Sequence, residues 1–207
     1  ADTEALRQLA ALPETGEELR VIARSLGAGA DTVYLGEKAT EARVKTLDLS
    51  GTNVIAFATH GLIAGDIKGL AEPGLVLTPP ATASSKDDGV LTASEVAQLK
   101  LHPGLVILSA CNTAAADGTP GAEGLSGLAK AFFYAGSQSL LVSHWAVPSE
   151  AAKRLTTGMF KDLKEDPGIG FAEALRRSMM RLAANDNYSH PIHWAPFVVV
   201  GEGAVTR

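Results

Sequence analysis

Residues 53–61 read Asn53-Val54-Ile55-Ala56-Phe57-Ala58-Thr59-His60-Gly61. From Val54 to Ala58 the run is apolar at every position rather than at every second one, which suits a strand covered on both faces. It ends in a histidine and a glycine. A second run of the same kind, Leu105-Val106-Ile107-Leu108, leads into Ser109-Ala110-Cys111. A third, Ser139 to Ser143, ends at His144-Trp145.

Between and around these runs the chain carries helical signals. Thr15 stands where a helix cap is expected, ahead of Leu19, Ile22, Ala23 and Leu26 at helical spacing, with Gly27 as the stop. Thr40 opens a second helix. Thr92 or Ser94 caps a short one through Leu99. A helix over 125–134 stops at Gly136, and two more are expected over 149–163 and 171–184. Val33-Tyr34-Leu35 is read as a short strand and 197–200 as a last one. Leu75–Leu77 and Val90-Leu91 are read as a hairpin with its tip at Ser84–Asp88. The order, mostly strand then helix, predicts an α/β fold: a three-layer sandwich with a mostly parallel central sheet and helices on both faces. Functional residues of such sheets gather beyond the carboxyl ends of the strands. The strands ending at His60 and Cys111 are expected to be parallel neighbours.

Length and composition set the bounds. The chain has 207 residues, 46% hydrophobic and 20% charged, which fits one domain, 1–207, with its own apolar core. Net charge is -5, from 18 basic and 23 acidic residues, with no Lys/Arg cluster, so no nucleic-acid partner is expected. No apolar stretch is long enough to span a membrane, and the opening residues are too polar for a signal peptide. A soluble chain is expected, the cytoplasm being slightly favoured. The single cysteine, Cys111, excludes an internal disulfide and argues against a cysteine-based metal site.

The chemistry lies in His60 and Cys111. A thiol is nucleophilic as thiolate, and a neighbouring imidazole can take its proton. Gly61 lets a substrate approach the backbone, and the Gly61 and Cys111 amides are candidate oxyanion donors. On general propensity alone a packed core thiol and a hydrogen-bonded loop histidine explain the same residues. His144 is a rival base, ranked lower because a packing segment follows it. His190-x-x-His193 lacks the form of a zinc site, and no phosphate-binding glycine loop occurs, so no metal or cofactor is expected.

Taken together, YLGEKATEARVK, IAFATHGLIAGD, LVILSACNTAAADG, GAEGLSGLAKAFFYAGSQSLLVSHWAVPSEAA and HPIHWAPFVVVGEG resemble the CHAT domain, a caspase-like module often found after tetratricopeptide repeats. The resemblance covers nearly everything from residue 14 to 203. It implies a caspase–hemoglobinase fold, with His60 and Cys111 at the family's catalytic pair. It implies a cysteine peptidase acting on a protein or peptide, within a longer protein bearing an N-terminal repeat region that regulates it. Metacaspases carry an aspartate two residues before the cysteine, which helps select basic side chains. That position is Ser109 here, and Asp88 and Glu123 are the acidic residues expected to serve a pocket. The isolated domain is expected to be latent, because segments 61–89 and 112–124 cost entropy to order. The competing readings are a non-catalytic interaction or signalling module with the same fold, and another acyl-transfer enzyme, such as a thioesterase, using the same pair.

Overall fold

The computed structural model describes residues 1–109, 127–145 and 147–203. The three apolar runs form strands β1 (Val54–Phe57), β5 (Leu105–Leu108) and β6 (Ser139–Ser143) of one sheet. Its order is β1-β5-β6-β7, where β7 is Phe197–Gly201. β1 pairs with β5 in parallel, Val54 opposite Leu105 and Phe57 opposite Leu108. β5 and β6 are also parallel, and β7 closes the sheet antiparallel to β6. The two strands expected to be parallel neighbours are so. A hairpin, β3 (Gly74–Val76) and β4 (Val90–Thr92), forms a small second sheet with the two-residue strand β2 (Gly61–Leu62).

Side chains alternate across the sheet, and helices cover both faces. Leu105, Ile107 and Leu141 meet α2 (Thr15–Ser25), α6 (Ser149–Glu165) and α7 (Phe171–Ala183) through Ile22, Leu155, Met159 and Leu175. Val106, Leu108 and Leu140 meet α4 (Ala93–Val96) and α5 (Gly127–Tyr134) through Val96, Leu128 and Phe132. All four β5 residues are buried, as the unbroken apolar run requires. Gly136 ends α5 at φ +107°, and a Cβ there would meet the Leu101 carbonyl oxygen at 2.0 Å, so only glycine fits the turn.

Local chemistry sets several boundaries. Thr40 caps α3 (Glu41–Thr46) by accepting from the Arg43 N–H. Thr92 and Glu95 form a reciprocal capping box on α4. α4 ends at Val96, one turn short of the expected Leu99. Thr15 is the first residue of α2 and makes no cap; its hydroxyl donates to the Leu12 carbonyl. An unforeseen helix, α1 (Thr3–Arg7), is capped by Asp2 and buries Leu6 against Leu62, Val76 and Val90 of the small sheet.

One expected strand is absent. Val33–Leu35 is extended at Val33 and Leu35, but short 3₁₀ turns bracket it and no strand pairs with it. A groove of about 780 Å³, walled by Leu19, Val33, Leu35, Val44, Ala56 and Leu77, lies between it and the free edge of β1. A strand is defined by its neighbour's hydrogen bonds, and β-propensity cannot supply one.

Candidate active site

The carboxyl ends of β1, β5 and β6 lie side by side. His60 follows β1 by three residues, Ser109 follows β5 directly, and His144 follows β6 directly. The Ser109 N–H donates to the Phe57 carbonyl at 2.9 Å, which ties the two central strand ends together. Cys111 lies two residues beyond Ser109 and, with Glu123, falls outside the described residues.

His60 is half-buried and held on two sides. Its carbonyl accepts from the Val76 N–H at 2.9 Å, joining it to β3. Its ring Nε2 lies 2.7 Å from the carbonyl oxygen of Ala10. A carbonyl only accepts, so in the neutral ring the proton sits on Nε2 and the lone pair on Nδ1. Ala10 is carried by the arm that leads from α1 into α2.

Gly61 opens β2 opposite Leu75. The neighbouring pair, His60 and Val76, is hydrogen-bonded, and pairs alternate along an antiparallel ladder. Gly61 and Leu75 are therefore a non-bonded pair, and the Gly61 N–H turns away from β3. Asp88 lies where the hairpin returns into β4. Its N–H and that of Gly89 donate to Glu41 Oε2 of α3 at 2.7 and 2.9 Å, and its own carboxylate takes the Val90 N–H at 3.1 Å. His144 is exposed, with its N–H donated to the Pro196 carbonyl at 3.1 Å.

A carboxylate that sequence reasoning passed over stands at the end of β5. Glu18 of α2 is buried, 2% exposed. Its Oε1 accepts from Thr156 Oγ1 of α6 at 2.8 Å and its Oε2 from Ser109 Oγ at 3.3 Å. Burial pushes the Glu18 carboxyl up from the usual range, against the pull of the two hydroxyls and of Lys153. The signal available in the sequence was its place one turn before Ile22, on the inner face of α2. Ala10 acts through its backbone, so no side chain could have announced it.

Among the described residues no group of histidine, cysteine and carboxylate side chains could hold a metal ion. His190 Nδ1 accepts from the Ile192 N–H at 3.2 Å, a local turn contact.

A mostly parallel sheet covered by helices on both faces, with His60 following β1 and its parallel neighbour β5 leading in sequence toward Cys111, is a caspase-like α/β architecture, and comparison with known proteins agrees. The CHAT domain profile matches residues 2–202, and the chain belongs to that family. Tetratricopeptide repeat protein 28 is 28% identical over 220 residues in Mus musculus and 29% identical over 224 residues in Homo sapiens. Each alignment covers 92% of this chain and 8% of the relative, so the chain spans a small part of the proteins it matches. The crystal structure of the Arg-specific cysteine proteinase gingipain R superposes with a TM-score of 0.59 at 15% identity, over 91% of this chain and 42% of that one. At that identity the likeness concerns the fold.

Proposed function

We propose that the chain is a cysteine endopeptidase module working through His60 and Cys111, with the Ala10 carbonyl orienting the base. The observation that carries this reading is the placement of His60 and Ser109 on adjoining parallel strand ends, with the His60 ring fixed by Ala10. Covalent geometry holds the Cys111 Cα within about 7 Å of the Ser109 Cα.

The cycle follows from these groups. Nδ1 of His60 takes the Cys111 proton, and the thiolate attacks the scissile carbonyl carbon. The Gly61 and Cys111 amides stabilise the oxyanion. The C–N bond breaks, the imidazolium returns its proton to the leaving amine, and a thioester remains. Water, deprotonated by the same ring, cleaves the thioester to a carboxylic acid and restores the thiol. Ala10 accepts from Nε2–H throughout, which keeps Nδ1 facing the thiol and favours the transient imidazolium.

The module works inside a longer protein, and neighbouring repeats regulate it. The relatives named as tetratricopeptide repeat proteins support this. Among the described residues no helix is long and apolar enough to cross a membrane. The competing reading, an interaction module with an idle pair, predicts no turnover at all. The test is cleavage of a fluorogenic peptide panel. Turnover that Cys111→Ala abolishes supports the peptidase. Absence of turnover, with a repeat-bearing relative's full-length format also inactive, contradicts it.

A further inference from the structure

β1 stands at the edge of the main sheet, yet it is not built as an edge. The carbonyls of Asn53 and Phe57 accept from the Leu105 and Ser109 N–H groups. Backbone groups alternate sides along a strand, so those of Val54, Ala56 and Ala58 point away from β5, into the groove of about 780 Å³. They meet no partner among the described residues. Exposed edges are usually blunted by charge or proline, and Val54-Ile55-Ala56-Phe57 carries neither.

The far wall is the extended stretch Val33–Leu35, where the backbone of Tyr34 is also unpaired among the described residues. Thr78 holds the turn that follows, donating to the Gly36 carbonyl through Oγ1 at 2.7 Å and to the Ala39 carbonyl through its N–H at 2.9 Å. The stretch is therefore pinned apart from β1 rather than collapsed onto it. Helix α2 lines the groove through Leu19 and Ile22, from the face of the sheet that it shares with α6. Helix α3 lines it through Val44, from the opposite face. Leu26, at the end of α2, is left 46% exposed, and Val54 and Ala56 are only half-buried. A five-residue strand, rising about 3.3 Å per residue, lying about 4.8 Å from its neighbours and filling about 10 Å between packed layers, occupies roughly 800 Å³.

We infer that the groove seats one further strand, an extended apolar segment that pairs with β1 on one side and with Val33–Leu35 on the other. The occupant is a segment preceding residue 1, which rests on the reading of this module as part of a longer protein. A strand covered on both faces is a lasting part of a sheet and not a passing ligand. The N-terminal residues already lie on this side, since Arg7 donates to the Pro80 carbonyl, next to Pro79 of the groove. Gly203, by contrast, accepts from Ala172 beside β7, at the opposite edge of the sheet. The relatives, of which this chain covers 8%, leave ample chain for such a segment. The groove extends along Ala58 and Thr59, so the added strand ties whatever precedes it to the strand that delivers His60.

The test is hydrogen exchange, read by mass spectrometry over peptides spanning 53–59, in residues 1–207 and in the longer native protein. The Val54, Ala56 and Ala58 amides exchange fast in residues 1–207 and are slowed on the order of a hundredfold in the longer protein, while β5 exchanges alike in both. Leu26→Lys leaves the melting temperature of residues 1–207 within about 2 °C, because its site is open there. In the longer protein it removes at least tenfold of the protection, and Leu26→Met does not. Equal exchange at both lengths overturns the added strand and leaves the longer protein standing. Protection within residues 1–207 that grows with protein concentration also overturns it, because a second copy then covers the edge. A native protein no heavier than residues 1–207 sinks both.

Discussion

His60 is held by a main-chain carbonyl and Ser109 by a side-chain carboxylate, although both supports come from one stretch, residues 10–18. The first support is indifferent to the side chain at position 10 and depends on where the arm is docked. The second depends on the chemistry of one side chain and on its burial between α2 and α6. The same segment thus holds the His60 ring through geometry and the end of β5 through the composition of one side chain. Substitutions should separate the two.

The largest effect is expected from undocking the arm. Leu6 is 4% exposed and packs against Leu62, Ile67, Leu70, Val76 and Val90. Leu6→Ala should cost about 2–5 kcal/mol, as core leucine truncations do, read by urea denaturation. It should also lower kcat more than it raises KM, because the arm carries Ala10. A stable variant with unchanged kcat would separate the arm from the base.

A smaller, pH-dependent effect is expected at Glu18. Its folded-state pKa is raised, by burial first of all, with Thr156, Ser109 and Lys153 opposing. A raised carboxyl contributes stability that is fully present below the unfolded pKa and lost as pH rises through the folded one. Glu18→Gln does not titrate. It should therefore gain stability relative to the native chain as pH rises from about 4 to 8, by about 1.4 kcal/mol per unit of raise. A difference that stays flat, or shrinks as pH rises, would contradict a buried carboxylate lacking a cation.

The smallest effect is expected where the support is backbone. Ala10→Gly keeps the carbonyl and should change kcat by less than about threefold, since the bond to Nε2 survives. A loss as large as that of His60→Ala would mean that the Ala10 methyl group, not its carbonyl, matters.

The same distinction explains what could be read from the sequence. β5 and β6 were legible because strands buried on both faces are apolar at every position, whereas β1, apolar throughout, buries Ile55 and Phe57 but Val54 and Ala56 only in part. The Thr40 and Thr92 caps were legible because capping is local side-chain chemistry. Val33–Leu35 failed as a strand because pairing needs a partner edge. β2 went unseen because Gly61 and Leu62 are a strand only by virtue of Leu75 and Gly74 opposite. Of the candidate site, His60 and the end of β5 could be placed from pattern alone. Ala10 could not, since a carbonyl is common to every residue. Glu18 carried a signal, a charge on an apolar helix face, but its meaning depended on Thr156 and Ser109, distant in sequence by 138 and 91 positions.

The most direct test of the central claim is the alkylation rate of Cys111 by iodoacetamide between pH 6 and 7, in the native chain and in His60→Ala. Cys111 is the sole cysteine, so incorporated label reports it alone. If the imidazole takes the thiol proton, the native chain reacts faster than a free thiol at the same pH, and His60→Ala slows the reaction at least tenfold. A native rate at or below that of a free thiol, unchanged by His60→Ala, would contradict a working pair.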